Sequence, residues 1–366
     1  MPVLTRFFAV LLVTLSLGGG QASADTRTDL AAILDRAGRL EPLETVLVSI
    51  DGVVVAERGY RGHSPDRPTN IKSASKAVVS ALVGIAIARG VIAGTGETVA
   101  TLLPDRLPAD PDPRLARITV GHLLSMRSGL AAASGAAYGR WVASRDWVRA
   151  ALAQPFDDEP GGRMIYSTAS THLLSAILTR RTGRPARDLA RDWLGDVDGF
   201  RIASWDADPQ GINFGGNQMA MTPRSLLAFG ELYRRGGRTE DGRDVVPGAW
   251  VAESWHPWTR SRHTGDGYGY GWFLRRVDGH DVHYAWGYGG QMLYVVPDLD
   301  LSVVMTSDET RPSASTGHRD ALNALLAEIA GTVAAAKTPV SRSRPPSGEK
   351  GAAAFPARGP SAAPRG

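Results

Sequence analysis

Short apolar, β-branched runs cut by turn residues lie near the two ends of the chain, and apolar positions recur at helical spacing in its middle. Residues 45–50 are rich in β-formers, Asp51-Gly52 interrupts them, and residues 53–58 resume with three valines. Two such runs around Asp-Gly predict a hairpin. Residues 73–89 are rich in Ala, Val and Ile and close at Gly90, which predicts a buried helix with a glycine cap. Helical spacing recurs at residues 120–125, 147–153, 171–182 and 223–235, between Pro- and Gly-rich connectors such as residues 104–113. Strand patterns return at residues 270–276 and 282–286 around Asp278-Gly279, and at residues 292–296 and 301–306 around Pro297-Asp298. A last helix is expected over residues 319–333. Strands at both ends and helices between them predict a mixed α/β (α+β) fold. Its mainly antiparallel sheet would be assembled from the two chain ends, with a helical region inserted.

The termini read differently. Arg6 is the only charge ahead of an apolar run at residues 7–17, and Ala22-Ser23-Ala24 is a small-x-small cleavage site. Residues 1–24 are therefore expected to be a secretory signal. The apolar run is shorter than the roughly 18 residues that span a bilayer, so no stable membrane anchor is expected once the signal is cleaved. The protein would be exported, periplasmic or secreted. Residues 337–366 are rich in Pro, Ser, Ala, Gly and Arg without an apolar period. Such a stretch buries too little to offset its ordering entropy and is expected to be a disordered tail, leaving residues 25–336 as the folded body.

Composition narrows the chemistry. At 43% hydrophobic and 21% charged residues the chain is globular rather than disordered as a whole. It has no cysteine, which excludes disulfides, cysteine-ligated metals and a cysteine nucleophile. A net charge of +4 suggests an acidic partner, but the tail carries +5 and the leader +1, so the body is −2. A nucleic-acid partner is therefore not expected. Split by residue type, the count says more: there are only four lysines against 37 arginines, and two of them, Lys72 and Lys76, flank Ser73.

On a helix, positions three apart share a face, so Ser73 and Lys76 can meet. A serine nucleophile needs a group to take its proton. Lysine can be that group because burial lowers its pKa, whereas arginine stays charged. The backbone N–H of Ser73 at the helix start would also be available to an oxyanion. Ser-x-x-Lys alone is a weak pattern, and a chance occurrence stays open on spacing alone. Other chemistries have less support. His280 and His283 could bind a metal in principle, but no third ligand is near in sequence. There is no Gly-x-Ser-x-Gly elbow, and no cofactor is called for.

Five segments, in order, resemble the serine β-lactamase and penicillin-binding superfamily, most nearly its class C-like hydrolases and esterases. Residues 70–87 (NIKSASKAVVSALVGIAI) resemble the nucleophile helix, and residues 118–130 (ITVGHLLSMRSGL) the segment that follows it. Residues 160–168 (PGGRMIYST) with 172–178 (HLLSAIL) resemble the tyrosine motif; residues 221–230 and 286–291 (WGYGGQ) resemble a later helix and the pocket-edge strand. The resemblance covers about residues 40–335. It implies a β-lactamase/transpeptidase-like fold: an antiparallel sheet flanked by helices, plus a helical subdomain. It also implies that Ser73 is the acylated nucleophile, Lys76 its base, and Tyr166 the phenol that passes the proton to the leaving group. The oxyanion hole would combine the N–H groups of Ser73 and Tyr288, with Gly287 and Gly289 permitting close approach of strand and substrate. Tyr138 and Phe214 are candidates for the pocket lining, as is Trp141, with core packing the alternative for each.

Two departures bear on the substrate. The tyrosine motif usually ends in Asn, where this chain has Thr168. The strand's Lys-Thr-Gly is here Ala285-Trp286-Gly287. In β-lactamases and D-alanyl-D-alanine peptidases that lysine helps hold a carboxylate, and losing it removes about 1.5–3 kcal/mol of charge-assisted hydrogen bonding. Trp286 would put an apolar surface there instead. An uncharged small-molecule ester or amide is the expected substrate, and the WGYGGQ and HLLSAIL stretches look most like the 6-aminohexanoate-dimer hydrolase branch. A β-lactamase or D-alanyl-D-alanine carboxypeptidase, and a non-catalytic penicillin-binding-like module, are the alternatives.

Overall fold

The computed structural model describes residues 22–337. Residues 1–21 of the expected signal and residues 338–366 of the expected tail lie outside the described residues. An eight-stranded antiparallel sheet runs in the order β2-β1-β11-β10-β9-β8-β7-β6. Its hairpin at the chain start is β1 (Leu43–Ile50) and β2 (Val53–Gly59). The strands from the chain end are β6 (Thr259–Arg260), β7 (Gly267–Tyr268), β8 (Phe273–Val277), β9 (His280–Gly287), β10 (Gln291–Val296) and β11 (Leu301–Ser307). The two ends meet where β1 pairs with β11, Val46 opposite Met305 and Val48 opposite Val303.

Alternation along these strands builds two cores, because successive side chains leave a strand on opposite faces. Leu47, Leu293, Val295 and Val304 pack against the helical region. Val46, Val48, Met292, Tyr294, Val303 and Met305 pack beneath two terminal helices, Ala24–Ala37 and His318–Lys337. The first of these helices is missing from the sequence expectations. Its signal is the spacing of Leu30, Ile33, Leu34 and Ala37, which form its buried stripe. Ser23, inside the expected cleavage motif, caps it by accepting from the Thr26 N–H.

A small second sheet joins β3 (Thr69–Asn70), β5 (Met219–Met221) and β4 (Ser204–Trp205) in that order. It was not expected either, because two- and three-residue strands carry too little period to read. The expected middle helices form at Val120–Leu124, Trp147–Leu152, Thr168–Thr182 and Pro223–Arg234. The third begins three residues earlier than its pattern predicts. The strand expected from residue 270 begins instead at Phe273, and Tyr270 is buried before it. At the centre, Ser75–Ala88 is buried along nearly its whole length, Lys76 included. The main sheet and the helical region enclose it.

Candidate active site

Ser73 sits in a 3-10 turn, Lys72–Ala74, that feeds directly into the Ser75–Ala88 helix. The expected single helix from residue 73 is thus tightened at its first turn. Two short-range features set the entry. Lys72 adopts φ +51°, and its N–H donates to the Asn70 side chain at 3.0 Å. The Ile71 N–H donates to the Met219 carbonyl at 2.9 Å. The nucleophile turn is therefore an extension of the small sheet.

Lys76 Nζ donates to Ser73 Oγ at 3.0 Å and to the Gly216 carbonyl at 2.8 Å, with Thr168 Oγ1 at 3.5 Å. Lys76 is 2% exposed, and this burial alone lowers its pKa to about 7. An amine with that pKa is substantially neutral near pH 7, as a general base must be. The Tyr166 ring centroid lies 5.1 Å from Lys76 Nζ. Burial pushes the Tyr166 phenol up to about 12, and a hydrogen bond with Ser73 pulls the other way. At neutral pH the phenol therefore holds its proton. Ser73, Lys76 and Tyr166 are brought together, as the sequence reading expected.

Backbone pairing with the segment after the Val120–Leu124 helix places Tyr166. The Ile165 N–H donates to the Met126 carbonyl at 2.8 Å, and the Ala133 N–H donates to Ser167 Oγ at 3.1 Å. Thr168, where the related motif has Asn, lies within 3.0 Å of the Ser134 hydroxyl through its own side chain. Its N–H donates to that same oxygen at 2.8 Å. Ser134 is a site neighbour that the sequence reading missed, since nothing in its local pattern marks it. Gly216 falls in a glycine-rich stretch that is conspicuous in sequence, but its carbonyl's role depends on the fold.

The end of β9 reaches the nucleophile turn through a glycine. A Cβ on Gly287 would lie 2.2 Å from the Ile71 carbonyl oxygen and 3.0 Å from the Lys72 Cβ. Gly289 and Gly290 follow at φ +86° and +107°, and a Cβ on Gly289 would meet the Asp308 carbonyl oxygen at 2.6 Å. Tyr288 is 50% exposed, the largest exposure of any big apolar side chain among the described residues. Its side chain is thus not a packing element. Trp286 is half-buried, donates from Nε1 to Ser313 at 3.3 Å, and is covered by the Arg319 guanidinium 5.1 Å from its ring.

The pocket candidates divide. Phe214 and Trp141 are each 2% exposed and belong to an aromatic cluster with Trp147 and His172. They support the site from behind. Tyr138 is half-buried, stacks on Phe214 at 6.0 Å, and accepts from Asn217 at 2.8 Å. His283 stacks flat on Trp255 at 3.9 Å, and burial pushes its pKa down to about 4. His280 pairs instead with Asp298. Among the described residues no group of three or more His, Cys, Asp or Glu side chains could hold a metal ion.

An antiparallel sheet closed by both chain ends, with a buried helix between it and an inserted helical region, defines the β-lactamase/transpeptidase fold. The chain belongs to the Beta-lactamase family, whose sequence profile matches residues 44–328. Solved structures share the fold at low identity. A putative 6-aminohexanoate-dimer hydrolase from Bacillus anthracis aligns with TM-score 0.69 at 17% identity, covering 82% of each chain. EstCE1, a hydrolase with promiscuous acyltransferase activity, aligns with TM-score 0.67 at 18% identity over 85% of this chain and 98% of its own. A putative beta-lactamase from Bacteroides dorei aligns with TM-score 0.67 at 15% identity over 85% of this chain and all of its own.

Proposed function

We propose that the protein is an exported serine hydrolase that cleaves an uncharged ester or amide through an acyl-enzyme on Ser73. The observation that carries the reading is a buried amine of pKa about 7 at 3.0 Å from a serine hydroxyl. Lys76 accepts the Ser73 proton as Oγ attacks the substrate carbonyl. The Ser73 and Tyr288 N–H groups receive the oxyanion. Tyr166, protonated at neutral pH, gives a proton to the leaving alcohol or amine and regains it through Lys76. Water then attacks the acyl-enzyme, and the same groups run in reverse to release the acid and free Ser73. Each step needs only a proton relay and a carbonyl addition, so water is the sole co-reactant.

Ala285, which stands where the related strand has lysine, offers no charge to a carboxylate and supports a neutral acyl group over a carboxylate-bearing β-lactam. Trp286, expected to line the site, instead faces Ser313 and Arg319 on the other side of the strand. Similarity to the putative 6-aminohexanoate-dimer hydrolase supports a linear amide as substrate, and similarity to EstCE1 supports acyl transfer. A fluorophosphonate probe should label the purified protein, and Ser73→Ala should abolish labelling. Labelling that persists in Ser73→Ala would remove Ser73 from this role. A panel of short esters, linear amides, penicillins and D-Ala-D-Ala peptides should be cleaved in its ester or amide part. Turnover confined to penicillins would replace this substrate class with the β-lactamase one. Export is checked by the N-terminus of the mature protein, expected at Asp25.

A further inference from the structure

His172 and Asp208 form an ion-pair-capable contact inside the helical region, with no part of either side chain exposed. Their separation is 3.1 Å, from His172 Nε2 to Asp208 Oδ2. The other carboxylate oxygen is taken: Asp208 Oδ1 accepts the N–H groups of Gln210 at 2.8 Å and Ile212 at 2.9 Å. The other imidazole nitrogen is taken too, since Nδ1 faces the Gly215 N–H at 3.4 Å. A backbone N–H can only donate, so Nδ1 is an acceptor and the ring proton sits on Nε2, directed at Asp208. Burial pushes the Asp208 carboxyl up. The hydrogen bond from His172 and the two backbone donors outweigh this and hold it below its ordinary value. The pair is therefore a neutral imidazole on a carboxylate.

The next residue after Gly215 touches the chemistry. Gly216, at φ +89°, turns its carbonyl onto Lys76 Nζ at 2.8 Å, and a Cβ there would sit 2.9 Å from the same nitrogen. Gly215 is itself wedged against the Thr168–Thr182 helix, where a Cβ would lie 2.2 Å from the Thr171 carbonyl oxygen. Around Lys76 Nζ the titratable neighbours are Ser73 and Tyr166, with Thr168 beside them. The nearby cation Lys72 is paired with Glu309 at 3.2 Å. The Gly216 carbonyl is thus the acceptor that orients the Lys76 amine toward Ser73.

We propose that His172 and Asp208 are positioning residues for the Ser73–Lys76 pair. Asp208 fixes the His172 tautomer, Nδ1 then holds the Gly215 N–H, and this sets the Gly216 carbonyl on Lys76. Neither residue touches substrate. The proposal rests on the roles given to Ser73 and Lys76 above.

Asp208→Asn tests it with little change of shape. The backbone donors of Gln210 and Ile212 keep the amide oxygen on their side, so the amide N–H₂ faces His172 Nε2. The imidazole must then accept at Nε2 and carry its proton on Nδ1, against the Gly215 N–H. The rate of fluorophosphonate labelling at Ser73 is followed over a range of about pH 5 to 9. In Asp208→Asn the acid limb should move down by about one pH unit, the worth of one hydrogen bond to a charged group. The plateau rate should fall about tenfold or more. Two further variants guard against a folding defect. His172→Asn keeps an oxygen near the Nδ1 position and should keep the wild-type midpoint. His172→Gln reaches only toward Asp208 and should shift it as Asp208→Asn does. If all the variants that fold keep the wild-type midpoint, or all lose labelling equally, the pair is only a packing feature and the proposal falls. A wild-type protein that is not labelled at all removes the underlying reading of Ser73 instead, and that outcome is visible before any variant is made.

Discussion

Gly287 lies against Ile71 so closely that any β-carbon would stand 2.2 Å from the Ile71 carbonyl oxygen. The atom it would strike is backbone, tied through the Ile71 N–H to Met219, so no side-chain rotation relieves it. Gly287→Ala should therefore move the end of β9 away from Ser73. A displacement of about 1 Å at a reacting group costs on the order of 100-fold in rate. We expect kcat/KM on a p-nitrophenyl ester to fall by about that factor. An alanine variant with wild-type kcat/KM would show that β9 does not border the reaction.

Lys76 makes stability depend on pH in a defined direction. Its folded pKa of about 7 lies below its ordinary value of 10.5. The unfolded chain therefore binds more protons between those values, and stability rises with pH across that window. The rise is on the order of 4 kcal/mol for this one buried group. Lys76→Met should remove it while abolishing Ser73 labelling. Urea unfolding at pH 7 and near pH 10 should show the wild-type protein gaining on the variant. Parallel curves would place the amine in water.

Activity should follow the same proton. The neutral amine is the base, so kcat/KM rises as pH increases through about 7. Tyr166, pushed up to about 12, keeps its proton well past that point. A single acid limb followed by a plateau to about pH 10 is expected. A symmetrical bell centred near pH 7 would contradict this assignment of acid and base.

Phe214 joins stability to reactivity. It is 2% exposed, lies 4.7 Å from the Trp147 ring, and its carbonyl accepts from Trp205 at 2.9 Å. Phe214→Ala should cost about 3–5 kcal/mol of unfolding free energy. Because Gly215 and Gly216 follow it directly, Ser73 labelling should slow as well, and it should slow more than in Leu30→Ala on the far side of the sheet. Equal effects from the two variants would uncouple the aromatic cluster from the site.

The sequence by itself determined most of the element order. Short β-branched and apolar runs around Asp51-Gly52, Asp278-Gly279 and Pro297-Asp298 and the apolar block after Ser73 mark their structures locally, because strand composition and turn chemistry act over a few residues. It also exposed Ser73, Lys76 and Tyr166, since lysine is rare here and each lies in a recognisable motif. Other features belong only to the tertiary structure. The short strands of the second sheet exist because Ile71 and Met219 pair across about 150 residues. The low pKa of Lys76 comes from burial, which spacing does not encode. Ser134, the Gly216 carbonyl and the His172–Asp208 pair reach the site through contacts between segments 34 to 140 residues apart. Local pattern specifies which groups the chain carries. Long-range packing decides which of them gather around Ser73 and Lys76, and in which protonation state.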